Sequence, residues 1–187
     1  MKGIIFNLLE QFVVENWGAG AYEKILAKCP LTTREPFVGP RTYPDSDLLA
    51  IVGAVCGELG VTTQDALRAF GRFAFPRLAA RHPDLVKGRV DPLALLLSVE
   101  NVIHVEVRKL YPDAITPEFE FESLAAGSLV MRYRSRRRLC PLVVGLIEGV
   151  AEHFGTSIAC EETACTSAGA DACSFKLSFA RVPAEAL

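Results

Sequence analysis

The chain has 187 residues, 50% of them hydrophobic, and a formal net charge of −2. That length holds one domain of two lobes with a real core. The apolar fraction excludes a disordered tail, and the charge argues against general nucleic-acid binding. No stretch reaches the roughly 18 uncharged apolar residues of a membrane span, because residues 93–107 are interrupted by Glu100, Asn101 and His104.

The opening Met1-Lys2-Gly3-Ile4-Ile5-Phe6 is like the basic start of a secretion signal. Asn7, Glu10 and Gln11 then break the apolar run too early, and no small-residue cleavage site follows. The expectation is a soluble cytoplasmic protein without membrane insertion. In that compartment the six cysteines point to metal or redox chemistry more than to structural disulfides.

In chain order, Ile4, Ile5, Leu8, Leu9, Phe12 and Val13 recur at helical spacing, so residues 4–17 form an amphipathic helix that Gly18 and Gly20 end. Residues 22–28 give a short second helix, stopped at Cys29-Pro30. Residues 30–43, with three prolines and a glycine, give a loop. Pro44-Asp45-Ser46 opens a third helix with Gly60 at its end, and Thr62 caps a fourth that runs to about residue 81 with Pro76 inside it. Asp91-Pro92 opens the helix that carries His104 and ends before Pro112.

After Pro117 the period changes to two. Phe119 and Phe121 alternate with glutamates, Ala125-Ala126-Gly127 turns, and Leu129, Met131 and Tyr133 alternate again, a hairpin. Residues 141–154 give another helix. Residues 156–162 and 173–180 give a second strand pair joined across residues 167–171. The order predicts an α+β protein with a helical N-terminal lobe.

Tyr133-Arg134-Ser135-Arg136-Arg137 carries the chemistry. In an extended segment Tyr133, Ser135 and Arg137 share one face, presenting two hydroxyls and a guanidinium fork. That set suits paired carboxylates on a ligand, such as the two propionates of haem. His104, at or beside the apolar stripe of its helix, is a candidate axial iron ligand. The arginines also read as a solvated strand edge or a nucleic-acid patch, and a lone histidine in an apolar helix is ordinarily a core residue. The two sets gain force in combination.

Met1-Lys2-Gly3, Tyr43-Pro44-Asp45, Phe70-Gly71, His104, Pro117, the Tyr133-x-Ser135-x-Arg137 spacing and Gly145-Leu146-Ile147-x-Gly149 coincide in order and spacing. On these residues the chain resembles the H-NOX family, haem-nitric oxide/oxygen binding domains related to the sensor domain of soluble guanylate cyclase. The resemblance runs from Met1 to about residue 180. It implies one domain over residues 1–187, with a helical distal lobe (1–62), a proximal lobe (63–187) bearing a four-stranded antiparallel sheet, and haem b between them.

The resemblance makes His104 the proximal iron ligand. It makes Tyr133, Ser135 and Arg137 the propionate clasp, and Pro117 the proline that presses on the porphyrin. One protein ligand leaves the other haem face open to a gas. By the family register Ile5, Leu9, Ala74, Phe75 and Leu142 form the distal pocket. Oxygen-binding members carry tyrosine where Leu142 stands, and Leu9, Ala74 and Leu142 have no side-chain donor. The expectation is therefore binding of nitric oxide and carbon monoxide with dioxygen excluded. The family mechanism is release of the His104–iron bond followed by rotation of one lobe on the other.

Cys140, Cys160, Cys165 and Cys173 cluster in the last quarter of the sequence. Four thiolates fit a tetrahedral zinc site, and some family members with a similar tail bind zinc through cysteines, sometimes with a histidine. No histidine lies near Cys165, so Cys160 is the expected fourth ligand and Glu162 the substitute. Buried thiols or a reversible disulfide remain open. Cys29 and Cys56 read as structural, His82 and His153 as helix-end residues.

Output by contact is expected, since no catalytic module is recognised up to Leu187. Stand-alone family members typically partner with a histidine kinase or a cyclic-di-GMP enzyme. The alternative is a zinc-thiolate redox sensor in which cysteine oxidation is the main signal. Enzymatic activity is not expected, because no acid–base pair, activated nucleophile or phosphate loop stands out.

Overall fold

The computed structural model describes residues 1–33, 36–125 and 128–180. The expected turn at Ala126-Gly127 lies outside them. Eight α-helices, one π turn, one 3-10 turn (Thr166–Ala168) and one four-stranded sheet account for the regular structure among these residues.

Helix α1 (Gly3–Trp17) buries Phe6, Leu8, Leu9, Phe12 and Val13, the stripe set by its spacing. Gly18, at φ 87°, turns the chain directly into α2 (Ala19–Lys28). Gly20 therefore belongs to the first turn of α2 and is not a terminator. Helix α3 (Asp45–Leu59) ends at Gly60, whose left-handed φ of 67° is open to glycine at little cost. Helix α4 (Thr63–Arg81) starts under the Thr62 hydroxyl, which accepts from Asp65 N–H at 3.1 Å, and continues through Pro76.

Helix α5 (Pro83–Val86) is one turn that the sequence pattern did not reveal. Helix α6 (Pro92–Ser98) is capped by Asp91, which accepts from Ala94 N–H at 2.7 Å. The single long helix expected here is interrupted. Residues Val99–Ile103 form a π turn, and α7 (His104–Leu110) resumes beyond it. The wider turn shifts the register by one residue immediately before His104.

Strands β1 (Glu118–Ala125), β2 (Ser128–Arg134), β3 (Ile158–Ala164) and β4 (Cys173–Phe179) form an antiparallel sheet in the order β1-β2-β4-β3. Helix α8 (Cys140–His153) connects the hairpins. The register puts Phe119, Tyr133 and Cys173 in one row, and Phe121, Met131 and Phe175 in the next.

Two cores result. The first joins α1–α3 with Leu67, Phe70 and Ala74 of α4 and with Leu139, so it crosses the division expected at residue 62. The second joins the sheet with Leu95, Leu96, Val143, Ile147 and Val150. They meet where α4 packs on α8. A Cβ on Gly145 would fall 1.9 Å from the Arg68 carbonyl oxygen, and one on Gly71 2.4 Å from the Leu142 carbonyl oxygen. The backbones touch because these positions carry no side chain. Arg68 pairs with Glu148, and Arg72 with Glu152, along the same seam.

Gly145→Ala is therefore expected to destabilise the fold by about 1–3 kcal/mol through overpacking against backbone, lowering the thermal midpoint by several degrees. Gly57→Ala, where a Cβ meets nothing within 4 Å, is the control and is expected to be neutral or stabilising by up to ~1 kcal/mol.

Candidate functional site

Between the two cores lies a cavity of about 550 Å³, inside the size range of small-molecule and cofactor pockets. One wall comes from α6, the π turn, α7 and Pro117, and includes Leu95, Leu96, Ile103, His104 and Val107. The other comes from α1, α4 and α8, and includes Ile4, Ile5, Phe75, Leu78, Leu142 and Leu146. Tyr133, Ser135 and Arg137 line it with Tyr43, Asp45 and Thr116.

The His104 side chain is 14% exposed, and its Nδ1 lies 3.2 Å from Glu100 Oε2. Burial holds this imidazole below its usual pKa, against the upward pull of the Glu100 carboxylate. The ring is therefore neutral at pH 7, the form that binds metals. The Glu100 oxygen also accepts from Phe119 N–H at 3.2 Å, and Arg108 lies 3.5 Å from the other carboxylate oxygen.

Tyr133 is the last core-facing residue of β2, 3% exposed, its ring 5.5 Å from that of Phe119. Burial pushes its phenol upward, so it stays protonated and able to donate. The strand ends at Arg134, so Ser135 and Arg137 do not share a strand face with Tyr133 as an extended segment would require. A turn follows instead. Arg138 N–H donates to the Ser135 carbonyl at 3.2 Å, Arg137 N–H to the Ser135 hydroxyl at 3.2 Å, and Arg138 takes a φ of 51°. The turn brings the three side chains to the same cavity by another route.

Arg137 donates from Nε to Asp45 at 2.7 Å and from Nη1 to the Ile115 carbonyl at 2.6 Å. Its fork ties α3 to the loop before Pro117. A second tie runs from Lys2 and Thr42 to Asp113, whose carboxyl is held down to about 2 by hydrogen bonds from those two side chains.

Of the five expected pocket residues, Ile5, Phe75 and Leu142 line the cavity. Leu9 and Ala74 do not: at 2% and 3% exposure they are packed into the first core behind it. Ile4, Leu78 and Leu146 line it unforeseen; the four-residue step from Leu142 to Leu146 is the signal that marks one helix face. His82 is the C-cap of α4, as a helix-end residue should be, and it also lines the cavity. The His153 ring packs on Phe75 and Phe154.

The cysteines form a second constellation. Sγ of Cys140 is 2.8 Å from that of Cys173 and 3.8 Å from that of Cys165, and the Cys165–Cys173 separation is also 3.8 Å. Potential ligand atoms of Cys140, Glu162, Cys165 and Cys173 all lie within 4.8 Å of one another. Cys160 is outside this group, which corrects its expected place as fourth ligand. It pairs across the sheet with Leu177, four residues along β4 from Cys173 and so roughly 13 Å away along the strand. Glu162 pairs with Phe175, next to a register shift in β3, and comes within reach. Burial pushes the Cys160 thiol up to about 11. Thr166 N–H lies 3.4 Å from the Cys173 sulfur, and the cluster lowers that thiol's pKa despite burial.

The haem-NO-binding family model matches residues 2–162. An H-NOX protein from S. oneidensis in the Fe(II)NO state has 37% identity and a TM-score of 0.91, over 97% of this chain and 100% of that one. The Shewanella oneidensis H-NOX domain in the Fe(II)CO state has the same identity and coverages and a TM-score of 0.89. The unliganded Fe(II) H-NOX protein of K. algicida has 30% identity and a TM-score of 0.87, over 98% of each chain. No curated protein sequence matches. The fold is that of these H-NOX structures, and the chain belongs to the H-NOX, or haem-NO-binding, family. Among the described residues no single helix is long and apolar enough to cross a membrane.

Proposed function

We propose that this chain is a haem-based gas sensor that binds nitric oxide and carbon monoxide, excludes dioxygen and passes the signal to a partner protein. The observation that carries this reading is a neutral imidazole in the wall of a cavity whose other wall is apolar. Bound haem b supplies the ferrous iron at which a diatomic gas is held. His104 is the residue that would ligate it through Nε2. Tyr133, Ser135 and Arg137 would hold its propionates, with two hydroxyls and a guanidinium matched to paired carboxylates. Pro117 lines the same cavity as a rigid ring able to press on a macrocycle.

Gas selectivity follows from the second wall. Ile4, Ile5, Phe75, Leu78, Leu142 and Leu146 offer no side-chain hydrogen-bond donor. Dioxygen, which takes on anionic character when held, lacks the partner it needs, whereas nitric oxide needs none. The His104 imidazole would link the gas site to α7, so that a change at the iron would be passed to the π turn, to α7 and, through Phe119, to β1. The output is a contact with a separate signalling protein, of the histidine kinase or cyclic-di-GMP enzyme class that serves stand-alone members of the family.

An absorption spectrum tests this directly. The reduced protein is expected to shift under nitric oxide and under carbon monoxide and to remain unchanged in air. A stable oxygen complex refutes the selectivity argument.

The thiol cluster supports a second, structural assignment. In a tetrahedral zinc site with Zn–S near 2.3 Å, sulfurs lie ~3.8 Å apart. Two of the three separations equal that value, and the third, 2.8 Å, is shorter. Cys140, Cys165 and Cys173 with Glu162 would hold the ion, pinning the start of α8 to the β3–β4 connection. A thiolate switch as the main signal is disfavoured by the family match. Metal analysis is expected to find one zinc per chain, lost in Cys173→Ser and retained in Cys160→Ser.

A further inference from the structure

The Glu100 carboxylate sits in the π turn and faces Nδ1 of His104, and the imidazole also meets the backbone carbonyl of Pro117. Its oxygen Oε2 is shared between His104 Nδ1 and the backbone N–H of Phe119, each at 3.2 Å. Arg108, one turn beyond His104, lies 3.5 Å from Oε1. The His104 ring packs on the Phe119 ring at 5.7 Å between centroids. Glu100 thus connects three elements: the π turn, α7 and the first residues of β1.

We propose that Glu100 is a positioning residue for His104, fixing the proton on Nδ1 so that the Nε2 lone pair faces the cavity, and strengthening the imidazole as a donor to iron. The inference rests on the reading of His104 as the iron ligand. An ionised carboxylate has no proton to give, so the proton of this hydrogen bond belongs to His104 Nδ1. Nε2 is then the nitrogen with a free lone pair. An imidazole that donates to a carboxylate is a more electron-rich ligand, and partners of this kind orient the ring as well as tune it. Phe119 N–H holds the carboxylate in place from the sheet, so the ligand's orientation is fixed relative to β1 and not only within its own helix. Arg108 approaches the other oxygen of the same carboxylate from one turn further along the helix.

The π turn supplies the geometry. His104 N–H reaches back to the carbonyl of Val99, five residues away, in place of the four-residue bond of an α-helix. The extra residue lets Glu100 face both the ring and the edge strand. Because Glu100 stands between the ring and β1, a change in how His104 would hold the iron would be felt at the edge strand as well as in α7.

Glu100→Gln and Glu100→Ala, in the full chain, test this with two spectroscopic readouts. In the haem-free protein, nitrogen-15 NMR is expected to show the Nδ1–H tautomer for His104. That tautomer should be retained in Glu100→Gln, whose amide oxygen still accepts, and lost or mixed in Glu100→Ala. In the reduced haem-loaded protein, the resonance Raman iron–histidine stretch is expected at lower frequency in both variants, with Gln intermediate, and haem loss about 10-fold or more faster in Ala.

An Nε2–H tautomer in the parent, with the proton on the Pro117 carbonyl side, overturns the proposal. So does a stretch and haem-loss rate in Glu100→Ala within twofold of the parent. Failure of the underlying reading looks different: the parent then lacks any iron–histidine stretch, and His104→Gly changes nothing in the haem spectrum.

Discussion

An imidazole has one lone pair to give, and the cavity depends on which of its two nitrogens carries it. Glu100 faces Nδ1 of His104, and burial lowers the pKa of the ring. The remaining features arrange themselves around that choice. The wall of α1, α4 and α8 presents Ile4, Ile5, Phe75, Leu78, Leu142 and Leu146, none with a side-chain donor, with His82 at the end of α4 also lining the cavity. The polar residues Tyr133, Ser135 and Arg137 line the same cavity. A charged histidine or a donor on the second wall would make a different binding protein from the same fold.

The cavity exists because two cores form on either side of it and are joined by the α4–α8 seam. Gly71 and Gly145 let the two helices touch backbone to backbone, and the Arg68–Glu148 and Arg72–Glu152 pairs flank that contact. The seam holds Leu142 and Leu146 in the same wall as Phe75 and Leu78. The ties across the other end, Arg137 to Asp45 and Asp113 to Lys2 and Thr42, join the loop before Pro117 to the N-terminal helices. In each tie a largely covered basic side chain, Arg137 at 15% and Lys2 at 13% exposure, meets a more exposed carboxylate. The wall facing His104 is thus fixed at the seam, while the loop before Pro117 is tied separately to the N-terminal helices.

Much of this was legible in the sequence. Helix starts at Thr62 and Asp91, the glycine stop at Gly60 and the change from helical to alternating period after Pro117 are local signals, and the chain obeys them. The π turn is not legible, since a one-residue register shift leaves the apolar pattern of residues 93–107 nearly unchanged. Tyr133, Ser135 and Arg137 were grouped by strand alternation, yet they meet because the strand ends and a turn redirects Arg137. Leu9 and Ala74 were expected at the cavity but lie one layer deeper, because their distance from it depends on how α1 and α4 cross. The choice of Glu162 over Cys160 depends on the pairing of β3 with β4, which spacing along one strand cannot give. Glu100 lies four residues from His104, a pairing that helix geometry makes readable. Its second bond, to Phe119, belongs to the tertiary fold.

The most direct test removes both holds on the cofactor at once. Anaerobic titration of haem into the protein carrying His104→Gly and Arg137→Ala, followed in the Soret region, compares it with the parent. The account predicts that the double variant binds far more weakly and loses the parent's histidine-ligated ferrous band. Equal affinity with the same band would contradict it.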